Sequence, residues 1–106
     1  MTITPTTLKN AAFAIEHDLW TDSDGANYLV KDGAIVRRWD PEHSSADSFD
    51  LMASLDMEVA AYNGYEEVHA LDYHGDNTAT ADYTDDRSQD YRNAILLCAA
   101  SIGESL

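Results

Sequence analysis

The chain has 106 residues, with 20 Asp plus Glu against 6 Lys plus Arg and a formal net charge of -14. The length fits one domain, 1–106, and 44% apolar residues in periodic clusters supply a modest core, which excludes a two-domain or disordered chain. A surface this acidic repels phosphate backbones and anionic headgroups, so direct nucleic-acid or membrane contact is excluded and the expected partner is basic.

In chain order, the first element is a helix that opens on Thr4 as N-cap and Pro5 at the first helical position, with Leu8, Ala12, Ile15 and Leu19 at helical spacing. Its predicted end is near Leu19. Asp22-Ser23-Asp24-Gly25 begins like a calcium loop but lacks the later bidentate Glu, and so reads as a polar turn. Tyr28–Val30 and Ala34–Arg38, separated by Lys31-Asp32-Gly33, predict a hairpin closed by Asp-Gly. Trp39-Asp40-Pro41 breaks the strand. Ser44, with Asp47 three residues on, starts a second helix whose buried face is expected to hold Ala46, Phe49, Met52, Ala53 and Leu55.

Met57–Tyr62 and Tyr65–Tyr73 flank Asn63-Gly64, the pair that suits a two-residue type I′ turn. That turn would place Val59 opposite Val68 and Met57 opposite Ala70. A second turn over His74-Gly75-Asp76-Asn77 would place Ala70 opposite Ala81. One face then collects Met57, Val59, Ala61, Val68, Ala70, Ala79, Ala81 and Tyr83 as a core face. The last helix starts near Asp86 or Ser88 and runs to about Ile102, with Tyr91, Ala94, Ile95, Cys98 and Ile102 on one face and Gly103 as its C-terminal cap. Three helices and five strands predict an α+β fold: a small antiparallel sheet, made of a three-stranded meander plus a hairpin, packed with the helices in α-β-α layers.

No apolar run approaches the roughly 20 residues of a membrane span, and Met1-Thr2-Ile3-Thr4 does not resemble a signal peptide. The expected location is the cytoplasm. Cys98 has no second cysteine to pair with, which agrees with a reducing compartment, and its place in an apolar stripe reads as a buried thiol. No phosphate loop, zinc-protease motif, paired-cysteine motif or nucleophile elbow is present, so neither an enzyme nor a cofactor is expected. His17, His43, His69 and His74 share no ligand spacing, and a divalent site at His69 and His74 with Asp72 and Asp76 is a weak candidate. Glu66 and Glu67 are adjacent and would face opposite ways on a strand, which does not suit shared acid-base work.

The charge is concentrated. Between Trp39 and Asp86 there are 13 carboxylates and no Lys or Arg. Part of this acid falls on the far face of the predicted meander, where Glu58, Tyr62, Tyr65, Glu67, His69, Leu71, Tyr73, Thr80 and Asp82 alternate with the core residues. Carboxylates two residues apart on a strand lie about 6.6–6.8 Å from each other, close to a phosphate repeat, and tyrosines supply anchoring area. The candidate partner-binding set is Glu58, Tyr62, Tyr65, Glu66, Glu67, Asp72, Tyr73, Asp76, Asp82, Asp85 and Asp86.

Trp39-Asp40-Pro41, then Ser45-Ala46-Asp47-Ser48-Phe49-Asp50-Leu51-Met52, and finally Tyr91-Arg92-Asn93-Ala94-Ile95-Leu96-Leu97-Cys98-Ala99-Ala100 resemble small phage and prophage proteins of the ABA-sandwich kind. The resemblance covers about residues 39 to 102 and departs where Asn93 separates Arg92 from Ala94. It implies an α-β-α fold and a phage accessory origin. By size and charge the chain is also similar to anti-CRISPR proteins and other DNA mimics. That similarity implies an inhibitor of host defence in the bacterial cytoplasm, with a basic host protein or ribonucleoprotein, such as a CRISPR effector or other nuclease, as partner. The alternative expectation is a non-catalytic phage accessory domain that homodimerises, its acidity serving solubility.

Overall fold

The computed structural model describes residues 3–73 and 76–106 and has the expected α+β class: three helices and two three-stranded antiparallel sheets. His74 and Gly75, in the predicted second turn and the weak metal candidate, lie outside the described residues, as do Met1 and Thr2.

Helix α1 (Pro5–Ala14) begins with a reciprocal cap: the Thr7 N–H donates to Thr4 Oγ1 at 3.2 Å and the Thr4 N–H donates to Thr7 Oγ1 at 3.2 Å. It stops five residues before the expected end at Leu19. Glu16 takes a left-handed φ of 63°, and the N–H groups of Glu16 and His17 bond back to Phe13 O at 2.9 Å and Ala12 O at 3.0 Å, the pattern of a Schellman stop. Without a glycine to mark that stop, the spacing of Ile15 to Leu19 reads equally well as one more helical turn. Leu19 instead sits in strand β1 (Asp18–Thr21), a sixth strand beyond the five that the sequence predicts.

β1 joins β2 (Asn27–Lys31) and β3 (Ala34–Arg38) in the order β1-β2-β3. The predicted hairpin holds: Lys31 pairs with Ala34, and the intervening Asp32 and Gly33 have φ of 53° and 81°, the two positive values a type I′ turn requires. The Asp22 carboxylate organises the β1–β2 turn by accepting the Asp24 and Ala26 N–H groups, each at 2.9 Å, and the Tyr28 hydroxyl at 3.3 Å. The Ala26 bond chiefly holds its carboxyl below the ordinary range against the cost of desolvation. These oxygens serve the turn.

Helix α2 (Ser45–Ser54) is capped by Ser44, whose Oγ accepts the Asp47 N–H at 3.2 Å. Its buried face differs from the expected one. Ser48 and Leu51 are buried, with Met52 and Leu55 beside them, whereas Ala46, Phe49 and Ala53 are exposed. Asp47 fixes this rotation by accepting from Arg37 Nη1 at 2.7 Å and from the Asp40 N–H at 2.8 Å, which draws the 47/48/51 side inward and turns Phe49 out.

The second sheet contains β4 (Met57–Tyr62), β5 (Glu67–Asp72) and β6 (Thr78–Asp82) in that order. Val59 pairs with Ala70 and Val68 with Ala81, so each pairing is shifted two residues from the expected register. The β4–β5 shift comes from the first turn, whereas the β5–β6 turn includes residues outside those described. Asn63 and Gly64 do not adopt positive φ; residues 63–66 form a four-residue loop in which Glu66 takes the left-handed conformation at 53°. Because side chains alternate with period two, a two-residue shift leaves every face unchanged. The predicted core face is therefore realised, and it also carries Asp72.

Helix α3 (Arg87–Glu104) crosses this core face and holds α1 on its other side. Among the described residues no helix covers the far face of the second sheet, where Glu58, Tyr62, Thr80 and Asp82 are exposed. Gly103, expected as a cap, stands inside α3 against the Asn10 carbonyl of α1. Cys98 is buried, with its Sγ 3.6 Å from Asn77 O; burial first and the Asp72 charge second push the thiol up to about 11 from 9.0. A thiol reagent at neutral pH should label the native protein about 100-fold more slowly than the urea-unfolded chain, followed by absorbance. Equal rates would contradict the buried placement.

Candidate interaction surface

The register of the second sheet assembles its outer face rung by rung. Tyr62, Glu67 and Asp82 face one another across the three strands, Ala60, His69 and Thr80 form the next rung, and Glu58, Leu71 and Thr78 the third. Neighbouring strands lie about 4.8 Å apart, so Glu67 and Asp82 are two like charges placed directly opposite, an arrangement that ordinarily destabilises a sheet. On the other side of Glu67, His69 Nε2 lies 3.1 Å from Glu67 Oε1, and the Tyr62 ring packs on the His69 ring with centroids 4.5 Å apart. The sequence makes His69 a metal candidate and a member of this face. The structure makes it the link between an anchor and an acid.

The loop at this end extends the surface. Tyr65 is 74% exposed at its tip. The Glu66 carbonyl accepts the Tyr83 N–H at 2.8 Å, and the Tyr83 hydroxyl donates to Asn63 Oδ1 at 2.6 Å, which ties the loop to the strand leaving β6. The Arg87 guanidinium lies 3.1 Å over the Tyr83 ring. Tyr62, Tyr65, Glu66, Glu67, Asp82, Asp85 and Asp86 thus gather at one end of the meander, where the chain enters α3. Asp86 also has a structural task, since its Oδ1 accepts the Gln89 N–H at 3.1 Å as the cap of α3.

The rest of the candidate set is not brought together. Glu58 is exposed two rungs away, and Tyr73 and Asp76 are exposed at the opposite end. Asp72 is corrected outright: it is only 8% exposed on the inward face, because the alternation that places Leu71 outward turns Asp72 toward Cys98. It leaves the contact set.

Among the described residues, the Lys and Arg ion pairs are Arg37 with Asp47 and Asp50, and Arg87 with Asp90. None reaches Glu58, Glu66, Glu67, Asp82 or Asp85. No protein-family model, curated protein or solved structure matches the chain significantly. The resemblance to phage proteins therefore rests on the quoted residues. Among the described residues no group of three or more His, Cys, Asp or Glu is placed to hold a metal ion, and no helix is long and apolar enough to cross a membrane.

Proposed function

We propose that the protein is a non-catalytic acidic inhibitor that covers a basic, nucleic-acid-handling surface of a host protein or ribonucleoprotein, in the manner of an anti-CRISPR DNA mimic. The observation that carries this reading is the pair of opposed carboxylates, Glu67 and Asp82, set on one rung with His69 beside Glu67 and, among the described residues, no Lys or Arg partner. A fold gains nothing from that pair, whereas a basic groove supplies the missing countercharges, and fixed carboxylates steer its approach. Tyr62, 44% exposed, and Tyr65 add apolar contact beside the acids. The phage-type resemblance gives the setting.

Capture of basic host proteins on the immobilised protein at low salt, followed by affinity measurement with those retained, tests the reading. The triple variant Glu66→Lys, Glu67→Lys, Asp82→Lys should bind at least about 100-fold more weakly with an unchanged unfolding midpoint, and raising salt from about 50 to 200 mM should weaken the parent at least about tenfold. Parent-like binding by the variant rejects this face as the contact. A homodimer in sedimentation that buries the face would replace inhibition by self-association.

A further inference from the structure

Between α2, β4 and the first half of α3 lies a cleft of about 440 Å³, within the size range of small-molecule sites. Phe49, Met52, Val59 and Ile95 give it an apolar wall, and Arg92 stands at its rim. Three independent observations set it apart from the acidic face.

The first is Ser48. Its side chain is 2% exposed in the cleft wall, and its Oγ has no hydrogen-bond partner. A buried hydroxyl left unpaired costs free energy, and rotation of the side chain toward the cleft would bring it to a ligand oxygen. The second is Arg92. Its Nε donates to Glu42 O, Nη1 to Ser45 Oγ and Nη2 to Gln89 Oε1, each at 3.0 Å. All three acceptors are neutral, so the guanidinium is oriented but keeps an uncompensated charge and the other two of its five N–H donors. In a chain with 20 carboxylates, none lines this cleft, whereas four further clefts each have at least one in their walls. The third is Phe49, which the rotation of α2 leaves 53% exposed beside the cleft although its size suits a core. A large apolar side chain at the surface, an unpaired hydroxyl and an unmatched cation are each unfavourable for the free protein. Together they are complementary to one kind of molecule.

We propose that this cleft binds a small amphipathic carboxylate. The carboxylate accepts hydrogen bonds from the free donors of Arg92 and, once its side chain rotates toward the cleft, from the Ser48 hydroxyl, and the hydrocarbon body covers Phe49, Met52, Val59 and Ile95. The site is separate from the Glu67–Asp82 face and does not depend on the inhibitor reading.

Octanoate, with octanol and octylamine as controls of matched chain length, can be titrated into the intact protein and followed by amide chemical shifts and calorimetry. Octanoate should bind saturably with a Kd of about 1 mM or tighter, with shifts centred on residues 45–52 and 88–95, and at least about tenfold more tightly than either control. Arg92→Gln should weaken octanoate at least about tenfold while leaving octanol unchanged. Should that variant fail to fold, Ser88→Glu serves instead: Ser88 is exposed in the first turn of α3, where a carboxylate is tolerated by the helix, and it lines the rim. It should weaken octanoate at least tenfold by repulsion. Non-saturable octanoate shifts, controls that bind as tightly, or folded variants with parental affinity would each overturn the proposal.

Discussion

Replacing Gly103 with alanine is expected to lower the thermal unfolding midpoint by about 10–20 °C, a loss of about 2–3 kcal/mol. Gly103 sits in α3 where that helix crosses α1, and a Cβ there would meet the Asn10 carbonyl oxygen, with the Asn10 carbonyl carbon at 2.7 Å and the Ala14 nitrogen at 3.3 Å. All three are backbone atoms of α1, so no side chain can swing away, and the two helices must separate. Alanine gains up to about 1 kcal/mol of helix propensity over glycine, and the net loss therefore measures a clash larger than that gain. Gly64→Ala is the control. A Cβ at Gly64 meets nothing within 4 Å and the residue does not have positive φ, so the stability should change by less than about 0.5 kcal/mol. A type I′ turn at Asn63-Gly64 would have required positive φ there and penalised the same change, so this pair of variants tests both the helix contact and the loop. An unchanged midpoint for Gly103→Ala would refute the close crossing.

Asp90→Ala should cost about 3 kcal/mol at neutral pH. The Asp90 side chain is fully buried, yet it accepts the Thr84 hydroxyl at 2.6 Å, the Thr84 N–H at 2.8 Å and Arg87 Nη1 at 2.9 Å. Burial by itself raises its carboxyl, but the Thr84 bonds and the Arg87 charge outweigh burial and hold it below the ordinary 3.8. The sign follows from linkage: a depressed folded value contributes stability that is fully present above 3.8 and is lost as pH falls through the folded value. Urea unfolding of parent and variant should therefore differ most between about pH 5 and 8 and converge as pH drops below about 4. A gap that is independent of pH would mean that Asp90 is held for its packing alone. The variant also frees the Thr84 N–H and the Arg87 guanidinium over Tyr83, and so loosens the segment that joins the acidic face to α3.

Local chemistry made several elements legible. Thr4-Pro5, Ser44 with Asp47, and Asp86 each announced a helix start, and Asp32-Gly33 announced its turn, because caps and positive-φ turns depend on residues a few positions apart. Alternation in Met57–Tyr62 and Thr78–Asp82 fixed which residues face inward, and it survived a two-residue error in register because the pleat has that same period. What failed were stops and rotations. Glu16 and Glu66 adopt left-handed φ without being glycine, so nothing in their residue type marked the end of α1 or the true length of the 63–66 loop. The sequence puts Phe49 on the buried face of α2, whereas the Asp47 bonds to Arg37 and Asp40, reaching across seven to ten residues, set the rotation of the helix.

The sequence by itself determined the charge and its concentration between residues 39 and 86, the α+β class and the inward and outward faces of the second meander, since composition and short periods are local properties. Only the tertiary structure decided that Glu67 meets Asp82 with no Lys or Arg partner among the described residues, that Asp72 turns inward, and that Ser48, Phe49 and Arg92 share one cleft free of acid. Each of these depends on how elements distant in the chain pack together. Pairing and burial are long-range facts, and residue order constrains them only through the fold.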